Sequence, residues 1–139
     1  MTAYNAAMRS RSVISLLGLP VLAALTFAVA SCGGGSSAPA VTVPAGALVV
    51  KAGPGLVFDK SDYTIVASGG KVVIAYVQND TQRHTLVVRD ASGIVIGEKM
   101  EAVKKGSTDI ATFDLPPGTY VLQCDVPGHG AMKATLTVT

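Results

Sequence analysis

The sequence is short of the residues on which most site chemistry is built. Its 139 residues include two histidines and two cysteines, and 14% are charged. The formal net charge of +2 disappears once the amino terminus is set aside. Arg9 and Arg11 lie there in an apolar leader with no acidic residue, so nine basic side chains remain against nine acidic ones. A formally neutral chain without a basic patch is a poor partner for nucleic acid or other polyanions. There is no internal repeat, and no Met-rich or His-rich tract of the kind that exchanges metal at a surface. The two cysteines sit in unlike surroundings, Cys32 beside the leader and Cys124 near the carboxyl end, so no disulfide is expected although the chain reads as exported.

Residues 1–31 read as a secretory signal, with Arg9 and Arg11 as its positive region and an apolar run behind them interrupted by Gly18 and Pro20. The run ends in Val29-Ala30-Ser31-Cys32, which resembles a bacterial lipobox, in which small residues precede a cysteine that takes the lipid and becomes the new amino terminus. Cys32 is therefore the expected lipidation site. The plainer alternatives are a secretory signal cleaved near Ala30 or an uncleaved anchor. Residues 32–46 continue as Gly, Ser, Ala, Val, Thr and Pro without charge, the composition of a flexible tether. Residues 47–139 are left as one domain of ordinary size. The expected location is the outer, periplasmic or extracellular, face of the cell membrane.

Within that domain, short β-branched runs alternate with Gly, Pro, Asn and Asp. Leu48-Val49-Val50, Val57-Phe58, Tyr63-Thr64-Ile65-Val66, Lys71 onward to Val77, Thr85 to Val88, Ile94-Val95-Ile96, Ile110 to Leu115, Tyr120-Val121-Leu122 and the last six residues all read as strands. The segment from Glu98 to Lys105 is more charged, with Met100 and Val103 three apart, and reads as a helical turn or a long connection. Seven to eight short strands with Gly/Pro turns predict an all-β, Greek-key β-sandwich.

The chemistry concentrates in Cys124-Asp125-Val126-Pro127-Gly128-His129-Gly130-Ala131-Met132, together with His84. A thiolate, two imidazoles and a thioether are the donor set of a mononuclear blue-copper site, with a trigonal plane of two His and one Cys and a weak axial Met. Both histidines of the chain belong to it. Taken singly, His84 reads as a strand-edge residue, Cys124 as a small buried hydrophobe and Met132 as core. His129 between two glycines has no such plain reading, because it has little to pack against. Pro127 has no N–H and cannot donate to the thiolate. Thr85 and Asp125, each directly after a proposed ligand, are candidates to pin the two loops together.

The Cys-x-x-Pro-Gly-His string, followed by Met132-Lys133-Ala134-Thr135-Leu136, resembles the ligand loop of the cupredoxins, the family of azurin, plastocyanin and amicyanin. The resemblance covers roughly residues 47–139. The spacer departs from azurin: Gly130 and Ala131 alone separate His129 from Met132, where azurins have three residues and plastocyanins four. Amicyanins also have two, after a shorter Cys-to-His segment. The resemblance implies one copper ion cycling between Cu(II) and Cu(I), held by His84, Cys124, His129 and Met132; Met100 reads as surface or core, and as a donor only where Met132 does not reach the ion. It implies an electron carrier and no enzyme, a monomer that meets redox protein partners; the expected hold on the membrane comes separately, from the lipid on Cys32.

Competing chemistries fit less well. Zinc accepts Cys and His but rarely Met. A binuclear copper centre needs a second loop cysteine, and multicopper enzymes need more histidines. A Cys–His nucleophile pair would need a third group to orient the imidazole, and the residue order singles none out. A copper-binding lipoprotein that delivers or buffers the ion without redox relay is the rival in function.

Overall fold

The computed structural model describes residues 41–139. The leader, Cys32 and the first part of the expected tether lie outside them. Eight strands follow one another: β1 (Leu48–Ala52), β2 (Asp62–Ile65), β3 (Lys71–Gln78), β4 (Leu86–Arg89), β5 (Val95–Met100), β6 (Thr108–Asp114), β7 (Gly118–Gln123) and β8 (Lys133–Val138). They form two sheets, ordered β1-β3-β6 and β2-β8-β7-β4-β5. β1 pairs with β3, and β2 with β8, in parallel, while the other pairings are antiparallel. The chain therefore crosses from sheet to sheet repeatedly, and the predicted all-β sandwich is the architecture found.

Local sequence explains most of these elements. β8 alternates Ala134, Leu136 and Val138 inward against Lys133, Thr135 and Thr137, the two-residue period of a strand with one buried face. β3 is the middle strand of its sheet and is buried on both faces at Ile74, Ala75 and Tyr76, in keeping with its continuous apolar run. Side chains of both sheets meet in one core, in which Ile74, Leu86, Leu115, Leu122 and Leu136 are fully buried. Each such side chain contributes about 1.5–3 kcal/mol relative to exposure. The Pro116-Pro117-Gly118 turn is fastened by Tyr120, whose hydroxyl donates to the Pro116 carbonyl at 2.7 Å, the arrangement known as a tyrosine corner.

Two expectations from sequence are corrected. Val57-Phe58 is no strand: Phe58 makes a single bridge to Ala52. The charged Glu98-Lys99-Met100 run is the second half of β5, and no helical turn forms. The loop after it closes through the Ser107 N–H on the Lys104 carbonyl. Charge misled here because β5 is an edge strand that exposes Glu98 and Lys99, and edge strands accommodate charged side chains. Met100 points the other way and is 1% exposed.

β5 also carries an irregularity with a clear cause. Val88 pairs with Ile96 but Leu86 pairs with Met100, so β5 holds extra residues opposite β4, as in a bulge. Gly97 sits in that stretch at φ 69°, and a Cβ there would lie 2.8 Å from a ring carbon of the buried Phe113. Gly97→Ala thus combines left-handed strain with overpacking and should cost about 1–3 kcal/mol. For a domain of this size that lowers the midpoint of thermal unfolding by at least about 4 °C, measurable by circular dichroism.

Candidate metal centre

β4 and β7 lie side by side, with Val87 opposite Gln123. His84 and Thr85 run into β4, and Cys124 leaves β7, so this register brings the two segments together at one end of the sandwich. The stretch from Cys124 to Met132 then returns the chain into β8. It is closed by the Cys124 N–H on the Met132 carbonyl at 3.1 Å and folded internally by His129 N–H on Val126 O and Met132 N–H on His129 O. Gly128, at φ 87°, supplies the left-handed residue that the turn needs.

The result is a cluster of three donors. The ligand-type atoms of His84, Cys124 and His129 lie within 4.8 Å of one another. His84 Nδ1 is 3.2 Å from His129 Nδ1, which is 3.7 Å from the Cys124 sulfur. His84 and Cys124 are each 1% exposed, whereas His129 is half-buried. Two imidazole lone pairs facing each other at 3.2 Å repel unless a proton or a cation lies between them. The donor set is thus suited to a metal ion that accepts one soft thiolate and two imidazoles. Met132 is fully buried at the far end of the loop. Met100 lies on β5, buried and paired with Leu86.

The thiol's surroundings are sparing. Thr85 donates its backbone N–H to the sulfur at 3.5 Å. The Thr85 hydroxyl is also near, at 3.7 Å, but its one proton goes to Asp125 Oδ1 at 2.6 Å while its oxygen accepts the Asp125 N–H at 3.1 Å. This reciprocal pair joins the residue after His84 to the residue after Cys124. Outside it, Asp125 faces Lys99 at 3.8 Å, and Glu101 pairs with Lys99 and Arg83; exposed pairs of this kind add little stability. On the inner side, burial and the neighbouring Cys124 both push the Tyr76 phenol up from its ordinary value.

Sequence reasoning did not single out Asp80. Among the described residues the buried polar side chains are Gln78, Asp80, His84 and Thr85, all in one eight-residue stretch. Asp80 Oδ2 lies 3.1 Å from His84 Nε2. The hydrogen bond to His84, together with backbone N–H groups of Thr81, Gln82 and Gly55, outweighs desolvation and holds the Asp80 carboxyl down to about 2. Gln78 donates to the Gln82 carbonyl at 2.6 Å and braces the same loop. The one available signal was an acidic residue four positions before a proposed ligand, which is weak in a polar loop. Leu56 and Val57, 39% and 55% exposed, were also missed; they line a shallow depression with Ala131, Lys60 and Lys133 beside the loop.

No family model and no curated protein sequence matches the chain. Solved structures do. A dithionite-reduced auracyanin from Roseiflexus castenholzii superposes with a TM-score of 0.56 at 21% identity, over 70% of this chain and 99% of that one. An azurin (iso-2) from Methylomonas sp. strain J gives 0.58 at 16% identity, over 69% and 99%. A reduced amicyanin variant gives 0.53 at 17% identity, over 70% and 86%, and a second amicyanin variant is a reduced Cu(I) form. The fold of this chain is the cupredoxin fold.

The Thr85–Asp125 link generates a test that needs no metal. Thr85→Val keeps the shape but removes the hydroxyl, leaving the Asp125 N–H without its partner. It should cost about 1–3 kcal/mol in the metal-free protein, read from urea unfolding. An unchanged midpoint would mean that strand pairing alone holds the two loops.

Proposed function

We propose that this protein is a mononuclear blue-copper electron carrier, in which His84, Cys124 and His129 would be the strong ligands and Met132 a weaker fourth one. The observation that carries the proposal is the convergence of two imidazole nitrogens and a buried thiol, all within 4.8 Å of one another, at the end of a sandwich that superposes on auracyanin, azurin and amicyanin. Bound there, copper supplies a one-electron Cu(II)/Cu(I) couple. The chain's own contribution is to hold the ligands in place. Cys124 and His84 are fixed by strand ends and by the Thr85–Asp125 pair, so little rearranges when charge changes.

Met132 is supported by its burial and by backbone bonds that tie it to both Cys124 and His129. Electrons would pass at the half-buried edge of His129, whose exposed neighbours Pro127, Gly128, Gly130 and Ala131 carry no charge. An unidentified donor protein gives one electron there and an acceptor takes one. Such encounters bury little area.

The rival, delivery or buffering of copper, favours exposed and exchangeable ligands. Burial of Cys124 and His84 argues against it. Anchoring through Cys32 rests on the Val29-Ala30-Ser31-Cys32 string and on the tether composition. It would place the domain on the outer face of the membrane. Several acyl chains hold a protein stably where one binds marginally.

Copper-loaded protein should be intensely blue or green through thiolate-to-Cu(II) charge transfer, and Cys124→Ser should be colourless. Met132→Leu should keep the colour and raise the potential, since loss of a thioether donor disfavours Cu(II). A colourless wild type that takes zinc but not Cu(II) would sink the assignment. For the anchor, Cys32→Ser expressed in the native host should shift the protein from the membrane fraction to the soluble one. A wild type already soluble after export would remove the lipid from the proposal.

A further inference from the structure

Asp80 is the one buried carboxylate among the described residues, and each of its oxygens has work. Oδ1 accepts the Thr81 N–H at 2.6 Å. Oδ2 accepts the Gly55 N–H at 3.1 Å and faces His84 Nε2 at 3.1 Å. Capping its own loop would need only the first of these. The second oxygen reaches across to the turn between β1 and β2 and to the imidazole.

A carboxylate only accepts hydrogen bonds. Its position beside Nε2 therefore puts the His84 proton on Nε2 and leaves the Nδ1 lone pair facing Cys124 and His129. Asparagine cannot do the same. With its amide oxygen at Oδ2, its NH2 would meet the Thr81 N–H. With the amide reversed, NH2 would meet the Gly55 N–H and His84 Nε2, and would drive the imidazole proton onto Nδ1, into the cluster. His129 has no comparable brace: the hydrogen bonds of its ring run to Cys124 and His84.

We propose that Asp80 is the positioning residue of this centre: through His84 it fixes the tautomer and tilt of the buried imidazole, and it favours the more highly charged state of a bound ion. The positioning half stands on the hydrogen bonds alone. The charge half rests on the copper assignment, because only a redox-active ion has two states to distinguish. A fixed negative charge on the far edge of the ligand ring makes the imidazole a stronger donor and stabilises Cu(II) over Cu(I).

Long-range 15N–1H NMR of the metal-free protein reads the tautomer directly, and it should show the His84 proton on Nε2. Asp80→Asn and Asp80→Ala should both disturb that pattern and weaken zinc binding by roughly 10- to 100-fold. In copper-loaded protein, Asp80→Asn should reduce the preference for Cu(II) by about tenfold, a rise in potential of roughly 59 mV. A residue that merely closes its loop would lower stability in both variants while leaving tautomer and potential unmoved. That outcome, or a wild-type proton on Nδ1, overturns the proposal. If the protein binds zinc but not Cu(II), the copper assignment fails, while tautomer and zinc affinity still decide the positioning role of Asp80.

Discussion

The register between β4 and β7 is the constraint on which the centre depends. Val87 lies opposite Gln123, and that pairing sets how far His84 lies from Cys124. A shift by one residue would turn every side chain of β4 to the other face, burying the wrong set and separating the donors. The register is held by its inward residues, Leu86 and Val88 on β4 and Leu122 on β7, so the apolar core specifies the position of the polar site. The Thr85–Asp125 pair then fixes the two strand ends where the ladder stops.

Among the described residues, buried polar side chains concentrate at that end. Gln78, Asp80, His84 and Thr85 are the ones gathered there, and most of their groups have partners. The Asp80 carboxylate is surrounded by N–H donors, the Gln78 amide N–H is taken by Gln82, and the Thr85 hydroxyl both accepts and donates. Burying an unpaired charge or polar group is costly, so such a concentration persists only where its geometry is satisfied. The thiol receives little hydrogen bonding by comparison. One imidazole is braced and buried, and the other is half-buried at the surface. This asymmetry suits a centre that must keep its shape inside and present one edge outside.

Much of this could be read from residue order. The Cys124-to-Met132 string contains its own turn chemistry, in Pro127 and in Gly128 at positive φ, so the loop and its donors are local facts. The strands with a clean two-residue period, such as β8, were equally plain. β5 was not. Its charged second half lies on a sheet edge, and the edge position is a property of the strand order, which one segment does not contain. Val57-Phe58 failed for the converse reason: its apolar residues pack and line a depression without finding a full strand to pair with.

Residue types and spacing determined that a thiol, two imidazoles and a thioether were present, that three of them shared one loop, and that the chain would fold as a β-sandwich, because these follow from composition and short-range periodicity. Folding decided which atoms face one another. The turn of both Nδ1 atoms toward the sulfur, the use of Asp80 rather than a residue of the ligand loop to hold His84, and the exclusion of a second donor from the thiol all depend on groups brought together from distant parts of the chain. Gly55 and Asp80 are 25 residues apart, and Thr85 and Asp125 are 40 apart. Such hydrogen bonds leave no periodic trace in a sequence, because each needs one donor and one acceptor whose meeting is set by the strand register between them.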